Sequence, residues 1–354
     1  MPKARPARSP TLAPGKPPRR VLESLFRYRG ADDQRVVLGP GFGRDAAVID
    51  LGERLLVLKS DPVTFAPEEV GWYAVHVNAN DLAVVGCTPA WFQATIFLPV
   101  GSPVSALRAI ARDIHAAARQ LGIAVTGGHT EVTPAVQQPV VAGDLQGVAR
   151  KSELIRADGA RPGDLLVMSK TAALEGTAIL ARSFPREAMS ILGPRQAARA
   201  ARFHRRPGIS IVPEALRAAR LGATAMHDPT EGGLRAGIAE LAAASGRGLE
   251  VHLDRIPIAP QTLALCRYFS LDPLALISSG TLLATVPPTQ WEAVLQAWRE
   301  VGVAGTCIGE VIQPRTVRAW QAGKRVRWRW SEQDELARLF GERAYRKTPP
   351  RVMR

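Results

Sequence analysis

The chain has 354 residues, three cysteines and a hydrophobic content of 46%. This length suits one large domain or two ordinary ones, and the apolar fraction excludes a wholly disordered chain or a small disulfide-stapled protein. No run of about 18 uncharged apolar residues occurs, so no membrane-spanning helix is expected. The first twenty residues lack the continuous apolar segment of a secretory signal, and we therefore expect a cytoplasmic protein with reduced thiols.

The formal net charge of +14 is concentrated at the two ends of the chain. Residues 1–20 carry six Lys and Arg side chains and no acid, whereas residues 323–354 carry ten against four acids. Each end contributes +6, which leaves +2 for residues 21–322. A nearly neutral body argues against a nucleic-acid enzyme, and any contact with nucleic acid is expected to be weak and confined to the basic ends.

Two α/β units are predicted along the chain, separated by a cluster of turn residues at 158–164. In the first unit, strand-like runs alternate with helical patterns. Its predicted elements are a short helix from Val21, strands at 46–49, 55–58, 91–98, 123–125 and 140–148, and helices at 69–85 and 104–121. The predicted segments are a disordered basic arm (1–20), an N-terminal domain (21–157), a C-terminal domain (158–341) and a basic tail (342–354).

A second series of strands and helices follows the boundary. Its predicted elements are strands at 165–169, 281–286 and 307–311, helices within 172–221 and at 234–244 and 290–301, and a hairpin over 317–330. The second strand of that hairpin alternates basic and apolar residues, with Val326, Trp328 and Trp330 on one face. This pattern suits single-stranded nucleic acid, but an edge strand that packs its tryptophans on the domain explains it better.

Small carboxylates in the first unit lie at turns and strand ends. The glycine-rich loop 39–45 ends at Asp45, and the strand 55–58 is followed by Ser60 and Asp61. Carboxylates beside glycine loops suit Mg²⁺ and the phosphates that it bridges, because Mg²⁺ takes oxygen ligands and glycine lets backbone N–H groups approach. Ordinary turns are the alternative interpretation.

The helical pattern at 69–85 places an acid on its apolar face. Val70, Ala74, Val77, Asp81 and Val84 fall within one stripe of a 3.6-residue period. A buried carboxylate needs a cation, a metal ion or several hydrogen-bond donors. The pattern therefore predicts an internal salt bridge, a cap to a neighbouring loop or a metal ligand at Asp81.

Three further segments combine glycines with polar side chains. Residues 126–131 (Thr-Gly-Gly-His-Thr-Glu) follow a predicted strand and are interpreted as a loop that forms a site wall or a plain turn. Residues 227–234 lead into a helix, with Thr230 as the predicted N-cap and Gly232 and Gly233 leaving N–H groups open to an anion. Residues 278–281 (Ser-Ser-Gly-Thr) are a second candidate phosphate loop.

Taken in order, these segments resemble the superfamily of aminoimidazole ribonucleotide (AIR) synthetase, thiamine-monophosphate kinase, selenophosphate synthetase and the hydrogenase-maturation dehydratase HypE. The form of residues 227–233, His-Asp-Pro-Thr-Glu-Gly-Gly, is most similar to the HypE branch. The matching stretches are residues 43–50, 60–61, 80–86 with Pro89, 126–130, 227–233, 278–281 and 308–311.

The resemblance implies an N-terminal α/β domain whose strands form a β-barrel across a homodimer, followed by a C-terminal α/β domain, with ATP and Mg²⁺ in the cleft. It implies catalytic roles for Asp45, Asp81, His129 and His227, and metal ligation by Asp45, Asp61, Asp81 and Glu131. The implied nucleotide-binding residues are Gly43, Gly127, Gly128, Thr130, Asp228, Thr230, Glu231, Gly232, Gly233, Ser279 and Gly280.

The implied activity is an ATP- and Mg²⁺-dependent reaction in which an amide is activated, or a small-molecule or protein-borne acceptor is phosphorylated, in hydrogenase or metallocofactor maturation with a partner protein. The alternatives are a nucleotide-binding maturation scaffold without turnover and a small-molecule kinase similar to thiamine-monophosphate kinase. The scaffold alternative rests on two departures from the family.

The first departure is His129, where relatives often have an acid. Either Glu131 replaces that acid, or His129 acts on a phosphate, or the metal arrangement differs. The second departure concerns the cysteine that the dehydratase modifies at its own C-terminus. No cysteine follows Cys307 in this sequence, so we do not expect the self-modifying mechanism.

Overall fold

Two mixed β-sheets, one in each half of the chain, organise the fold. The structure is a computed structural model, and it describes residues 12, 15–64, 66, 68–331 and 333–347. The first sheet ends at residue 149 and the second begins at residue 165, so the predicted boundary after residue 157 falls between them. Among the described residues, no helix is long and apolar enough to cross a bilayer.

The first sheet has six strands in the order β1-β2-β3-β6-β4-β5. The strands are β1 (Val36–Leu38), β2 (Ala47–Asp50), β3 (Leu55–Val63), β4 (Trp91–Leu98), β5 (Ala124–Val132) and β6 (Val140–Ala149). The helices of this half are α1 (Arg19–Leu25), α2 (Val70–Val84) and α3 (Val104–Leu121). Within the described chain, β1 and β5 do not pair with each other, so the sheet is open and no barrel forms in one copy.

The second sheet has seven strands in the order β13-β12-β9-β11-β7-β10-β8. The strands are β7 (Leu165–Ser169), β8 (Ala225–His227), β9 (Gly248–His252), β10 (Leu283–Val286), β11 (Gly305–Ile312), β12 (Val317–Gln321) and β13 (Lys324–Val326). The helices are α4 (Leu174–Ser183), α5 (Pro185–Ala200), α6 (Val212–Arg220), α7 (Gly233–Ser245), α8 (Pro260–Phe269), α9 (Trp291–Arg299) and α10 (Glu335–Lys347), with a π-helical turn at His204–Gly208.

Helix α2 is buried on almost every side and connects the two halves. All its residues except Val77 are buried, so the helix has no solvent-facing stripe. The side-chain amide of Asn80 donates to the Ile209 carbonyl at 2.8 Å and accepts from the Ile211 N–H at 2.9 Å. These bonds satisfy the hydrogen-bonding groups of the Asn80 side chain, which is buried away from water. They fix the chain that precedes α6 against α2.

Residues 126–131 form part of strand β5, and the interpretation of this segment as a loop is wrong. The segment pairs in parallel with β4 because its glycines allow close backbone approach. A Cβ on Gly128, where φ is +147°, would lie 2.1 Å from the Ala94 carbonyl oxygen. All nine residues of β5 are exposed, and its outer edge has no partner among the described strands.

The predicted hairpin is present as β12 and β13, which pair in antiparallel register. Beyond β13 the chain leaves the sheet, and Trp328 packs against the core of the second half. The alternating basic and apolar residues at 324–330 therefore lie partly on the edge strand β13 and partly on the segment that follows it.

Candidate functional site

A cleft of about 520 Å³ lies between the two halves of the molecule. Its walls combine a glycine loop, the β3 strand and α2 from the first half with β8, α4 and α7 from the second. The charged and polar residues that line it are Lys16, Arg44, Asp45, Lys59, Asp61, Thr64, Asp81, Glu175, His227, Thr230, Glu231, Glu240 and Ser279.

Lys59 is the cation shared by two carboxylates at the centre of one wall. Its Nζ lies 2.9 Å from Asp81 Oδ2 and 3.1 Å from Asp61 Oδ2. Burial opposes the charge on Lys59, but the two carboxylates outweigh it and raise the pKa of the ammonium group. An internal salt bridge, one of the possibilities left open for Asp81, is therefore present.

One lysine does not balance the negative charge around Asp81. Burial raises the pKa of Asp81 to about 8, and the nearby charges of Asp45 and Asp61 add to this effect while Lys59 opposes it. Burial also raises the pKa of Asp61. Since a carboxylate with a raised pKa lacks full compensation, this wall favours the approach of a further cation.

Asp228 lies behind this wall and is fully buried. Burial raises its pKa well above the usual value, and the charge of Asp81 adds to the shift. The Asn80 amide is close enough to oppose the shift, yet neither carboxylate oxygen accepts a hydrogen bond of ordinary geometry from the described residues. Asp228 does not line the cleft.

His227 is held between two carboxylates at the end of β8. Its Nδ1 lies 2.9 Å from Asp45 Oδ1, and its Nε2 lies 3.0 Å from Glu240 Oε2. Burial opposes a charge on the ring, but Asp45 and Glu240 raise the pKa of His227 well above its usual value. The ring is therefore a cation that donates from both nitrogens.

Glu240, the second partner of His227, also contacts a lysine of the N-terminal segment. Lys16 Nζ lies 2.9 Å from Glu240 Oε1. Burial opposes the ionised form of Glu240, but His227 and Lys16 lower its pKa to about 2. Residues 15–17 thus form part of the cleft wall, which differs from the free basic arm expected for residues 1–20. Residues 1–11, 13 and 14 lie outside the described residues.

The opposite wall carries a second buried carboxyl group. Glu175, in the first turn of α4, is 4% exposed, and its Oε2 has no hydrogen-bond partner among the described residues. Burial raises the pKa of Glu175 to about 7, while Ser279 lies close enough to oppose the shift in part. The Ser279 hydroxyl is likewise buried and makes no hydrogen bond of ordinary geometry to the described residues.

The N-terminus of α7 is closed by the chain itself, contrary to the expectation of N–H groups open to an anion. The Gly232 N–H donates to Asp334 Oδ2 at 2.8 Å, and the Gly233 N–H donates to the Thr230 carbonyl at 3.0 Å. A Cβ on Gly233 would lie 2.5 Å from the Leu276 carbonyl oxygen. The paired glycines therefore accommodate neighbouring backbone.

Thr230 is not the N-cap of α7. Gly232 occupies that position with φ +77°, and the Thr230 hydroxyl donates to Glu231 Oε2 at 2.9 Å. Thr230 and Glu231 nevertheless line the cleft. A left-handed cap fits glycine and leaves the threonine hydroxyl one turn away, on the cleft side.

Gly43 is needed for the close packing of the first glycine loop on α7. Its φ is +72°, and a Cβ there would lie 2.9 Å from the Glu240 carbonyl oxygen. The loop thereby holds Asp45 within reach of His227. This contact joins the two halves at the cleft.

The predicted site residues fall into two groups. The cleft brings together Gly43, Asp45, Asp61, Asp81, His227, Thr230, Glu231 and Ser279. It does not include Gly127, Gly128, His129, Thr130, Glu131, Asp228, Gly232, Gly233 or Gly280.

His129 and Glu131 lie on the exposed edge strand, with His129 Nε2 3.9 Å from Glu131 Oε2. The strand registers align Asp61, Gly143, Ala94 and Gly128 in one row across β3, β6, β4 and β5. Three strand spacings separate the ends of that row, a distance of about 14 Å. In a single copy these two side chains do not reach the cleft.

The cleft also contains charged residues that the sequence patterns did not single out: Lys16, Lys59, Glu175 and Glu240. The proximity of Lys59 to Asp61 could have been predicted, because the two residues are two positions apart and lie on the same face of a strand. Glu240 lies on the helix that begins after the motif at 227–233, but its distance from His227 along the chain gives no sign of contact.

The carboxylates suit a cation that is bound together with a ligand. Within the described part of the chain, no group of three His, Cys, Asp or Glu side chains converges into a ready-made metal site. Mg²⁺ is usually held by one or two carboxylates and the phosphates of a substrate. The incompletely compensated oxygens of Asp61 and Asp81 fit that mode of binding.

Comparison with known proteins agrees with the two-part architecture. Residues 43–149 match the family model of the AIR synthase related protein N-terminal domain, and residues 161–320 match the C-terminal domain. The carbamoyl dehydratase HypE of Cupriavidus necator is 32% identical over 261 residues, which cover 71% of this chain and 70% of the relative.

Solved structures show the same fold. A hydrogenase maturation protein HypE in complex with ATP superposes with a TM-score of 0.70 at 24% identity, covering 92% of this chain and 100% of the other. HypE from a HypE–HypF complex superposes with a TM-score of 0.72 at 21% identity, covering 88% and 99%. The chain therefore belongs to the AIR synthase related family and groups within it with the HypE hydrogenase maturation proteins.

Proposed function

We propose that the cleft binds ATP with Mg²⁺ and that the protein uses the nucleotide to activate an amide or to phosphorylate an acceptor. The observation that carries this proposal is the wall formed by Asp45, Asp61 and Asp81, in which one buried and two half-buried carboxylates exceed the two cations that contact them, Lys59 and His227. Lys59 and Lys16 supply positive charge on either side of them. Paired acids and lysines around a glycine loop suit a magnesium-bound triphosphate.

Asp45, Asp61 and Asp81 would hold Mg²⁺, which when bound neutralises charge on the phosphates. Lys59 opposes the protonation of Asp61 and Asp81 and holds them close together, because its ammonium group contacts both. His227 fixes the orientation of Asp45. As a cation with both nitrogens engaged, it cannot serve as a general base, so we assign it a positioning role.

We further propose that residues 127–131 serve the cleft of a second copy in a homodimer. They lie on an exposed strand whose outer edge is unpaired among the described strands, and they do not reach the cleft of their own copy. Pairing of this edge with another chain satisfies its backbone groups. In this arrangement the two open sheets would enclose a barrel.

The acceptor is proposed to come from outside the chain, with hydrogenase or metallocofactor maturation as the setting. The relatives include proteins named carbamoyl dehydratase HypE, and one solved HypE is in complex with HypF. Cys87 and Cys266 are buried, and none of the three cysteines lines the cleft. A partner protein or a small molecule would therefore present the reacting group.

Isothermal titration calorimetry tests the nucleotide site. Wild-type protein with Mg²⁺ is expected to bind ATP, and Asp81→Asn is expected to weaken binding at least about tenfold, or about 1.4 kcal/mol. The matched control is Asp32→Asn, which makes the same change on an exposed loop and should leave affinity unchanged. Absence of binding by the wild type, or equal binding by wild type and Asp81→Asn, would contradict the proposal.

A further inference from the structure

A second hollow, larger than the cleft, lies in the C-terminal half. It measures about 1280 Å³ and is walled mainly by α5, α8 and the π-helical turn. The first turn of α4 contributes Leu174 to this hollow and Glu175 to the nucleotide cleft, so the two sites are neighbours. Sites for small molecules usually measure about 300–1,000 Å³, so this hollow suits a segment of a macromolecule better.

Four arginines line this hollow, which we call the arginine groove: Arg195, Arg199, Arg202 and Arg206. Arg195 and Arg199 lie four residues apart on α5, whereas Arg202 and Arg206 follow the end of that helix at Ala200. Like charges four residues apart on a helix repel one another. The wall that carries these four side chains therefore favours an external counter-charge.

The chain itself does not supply that counter-charge. None of the four groove arginines forms a salt bridge with a described residue, and no acidic residue lines the groove. Two nearby arginines behave differently. Arg182 pairs with Glu68 and Glu69, and Arg205 pairs with Glu69 and Asp113. Glu69 also lines a neighbouring hollow with Arg202 and Arg206, but it forms a salt bridge with neither, so the arginine groove stays positive.

The walls of the arginine groove are apolar between the arginines. The lining includes Leu174, Ile191, Leu192, Phe203, Ile258 and Pro260. Nucleic acid binds to basic tracks through phosphates and aromatic stacking, and Phe203, the only aromatic lining residue, is 4% exposed. An aliphatic wall with a basic rim instead complements a segment with one apolar face and one acidic face.

The chain's own ends do not fit this groove. Residues 1–11 and 348–354 carry basic side chains and no acid, so they would add positive charge to the groove. These basic ends therefore do not supply the counter-charge.

We propose that the arginine groove docks an acidic amphipathic helix of a partner protein. Its apolar face packs on the aliphatic wall, and its carboxylates pair with the four arginines. Because the groove adjoins the first turn of α4, a docked partner lies beside the cleft. The docking surface goes beyond the nucleotide site and does not depend on ATP binding.

Fluorescence anisotropy with a defined probe tests this docking surface. The probe is a labelled peptide of about 15 residues, or four helical turns, with leucines along one face and glutamates elsewhere. Full-length protein is expected to bind the peptide with a Kd below about 100 μM. The Kd of the double variant Arg195→Ala/Arg199→Ala is expected to be at least about tenfold higher. Arg195→Lys/Arg199→Lys should retain most of the affinity because it keeps the charge.

The matched control is Arg108→Ala/Arg112→Ala, which removes two exposed arginines at the same spacing from α3. This variant should bind the peptide like the wild type. ATP affinity should be unchanged in both pairs, so a failure of the nucleotide proposal and a failure of the docking proposal give different results.

Four outcomes would overturn the proposal. They are no binding of the peptide by the wild type, equal loss in the α3 control pair, equal binding of a peptide with the same composition but no amphipathic period, and displacement of the peptide by a single-stranded RNA.

Discussion

At the scale of single residues, the cleft is a set of charges whose balance depends on burial. Lys59 and His227 are each shared between two carboxylates, and both are cations for that reason. Glu175 contacts no cation among the described residues, and burial raises its pKa to about 7.

Glu175 provides a prediction about stability. Its pKa of about 7 exceeds the usual value of 4.5, so the native state holds the proton more strongly than the unfolded chain does. This contribution is present at low pH and is lost as the pH rises from about 5 to 8. Glu175→Gln removes this pH dependence of stability. We expect the free energy of unfolding of the variant, relative to that of the wild type, to increase by about 1–3 kcal/mol between pH 5 and pH 8.

Urea unfolding at several pH values measures this effect. Glu292→Gln is the control, because Glu292 is exposed on α9. If wild type and Glu175→Gln showed parallel pH profiles, the buried carboxyl group would not titrate as described.

At the scale of elements, α2 is the helix on which the two halves meet. Glu69, which precedes α2, accepts from Arg205 Nε at 3.0 Å and lies 2.6 Å from His204 Nε2. It also pairs with Arg182 of α4. Burial opposes the charge on Glu69, but these partners lower the pKa of its carboxyl group. One carboxylate thus joins the N-terminus of α2 to α4 and the π-helical turn.

Glu69→Gln is expected to destabilise the protein by about 2 kcal/mol at neutral pH. Arg182, His204 and Arg205 lose a charged acceptor, and an amide NH2 that cannot accept a hydrogen bond replaces one of the two oxygens. The pKa of Glu69 is lowered in the folded state, so this stabilisation is present above about pH 4.5 and is lost as the pH falls below it. Denaturation of wild type and variant at pH 7 and pH 4 measures the difference. Glu68→Gln, which alters a more exposed partner of Arg182, should cost much less.

Several elements could be predicted from hydrophobic period alone. Strands β4 and β7 and helix α3 have the predicted bounds, because long runs with a clear period leave few alternatives. β5 was misinterpreted because Gly127 and Gly128 resemble a turn, whereas they allow close pairing with β4. β9 was missed because a strand of five residues is too short to establish a period.

The candidate site was predictable only in part. Asp45, Asp61, Asp81 and His227 were identified from their motifs, and the cleft brings them together. Lys16, Glu175 and Glu240 depend on tertiary contacts between segments distant in sequence. Their positions relative to one another depend on how the two halves pack, and the local sequence pattern around each residue does not indicate this.

At the scale of the whole molecule, the open face and the β5 edge of the first sheet expose apolar side chains. Trp91 and Val148 are 42% and 39% exposed on that face, and β5 carries Val125 and Val132 at 50% and 57%. Exposed apolar residues and an unpaired edge together favour association. A homodimer would cover this surface and leave the arginine groove of the C-terminal half accessible.

Light scattering after size-exclusion chromatography tests the dimer. The wild type is expected at twice the 38.1 kDa of one chain, and Trp91→Arg is expected to shift the protein to monomer because a charge would be buried at the interface. Leu263→Arg is the control, since Leu263 is 44% exposed on α8, outside the sheet. A monomeric wild type would exclude the proposed barrel.

The most direct test of the nucleotide site is a crystal structure with a non-hydrolysable ATP analogue and Mn²⁺ in place of Mg²⁺. The expected result is an anomalous manganese peak about 2.0–2.2 Å from carboxylate oxygens of Asp45, Asp61 or Asp81, bridged to the phosphates of the analogue. Nucleotide density outside the cleft, or a manganese peak that contacts none of these carboxylates, would contradict the proposed site.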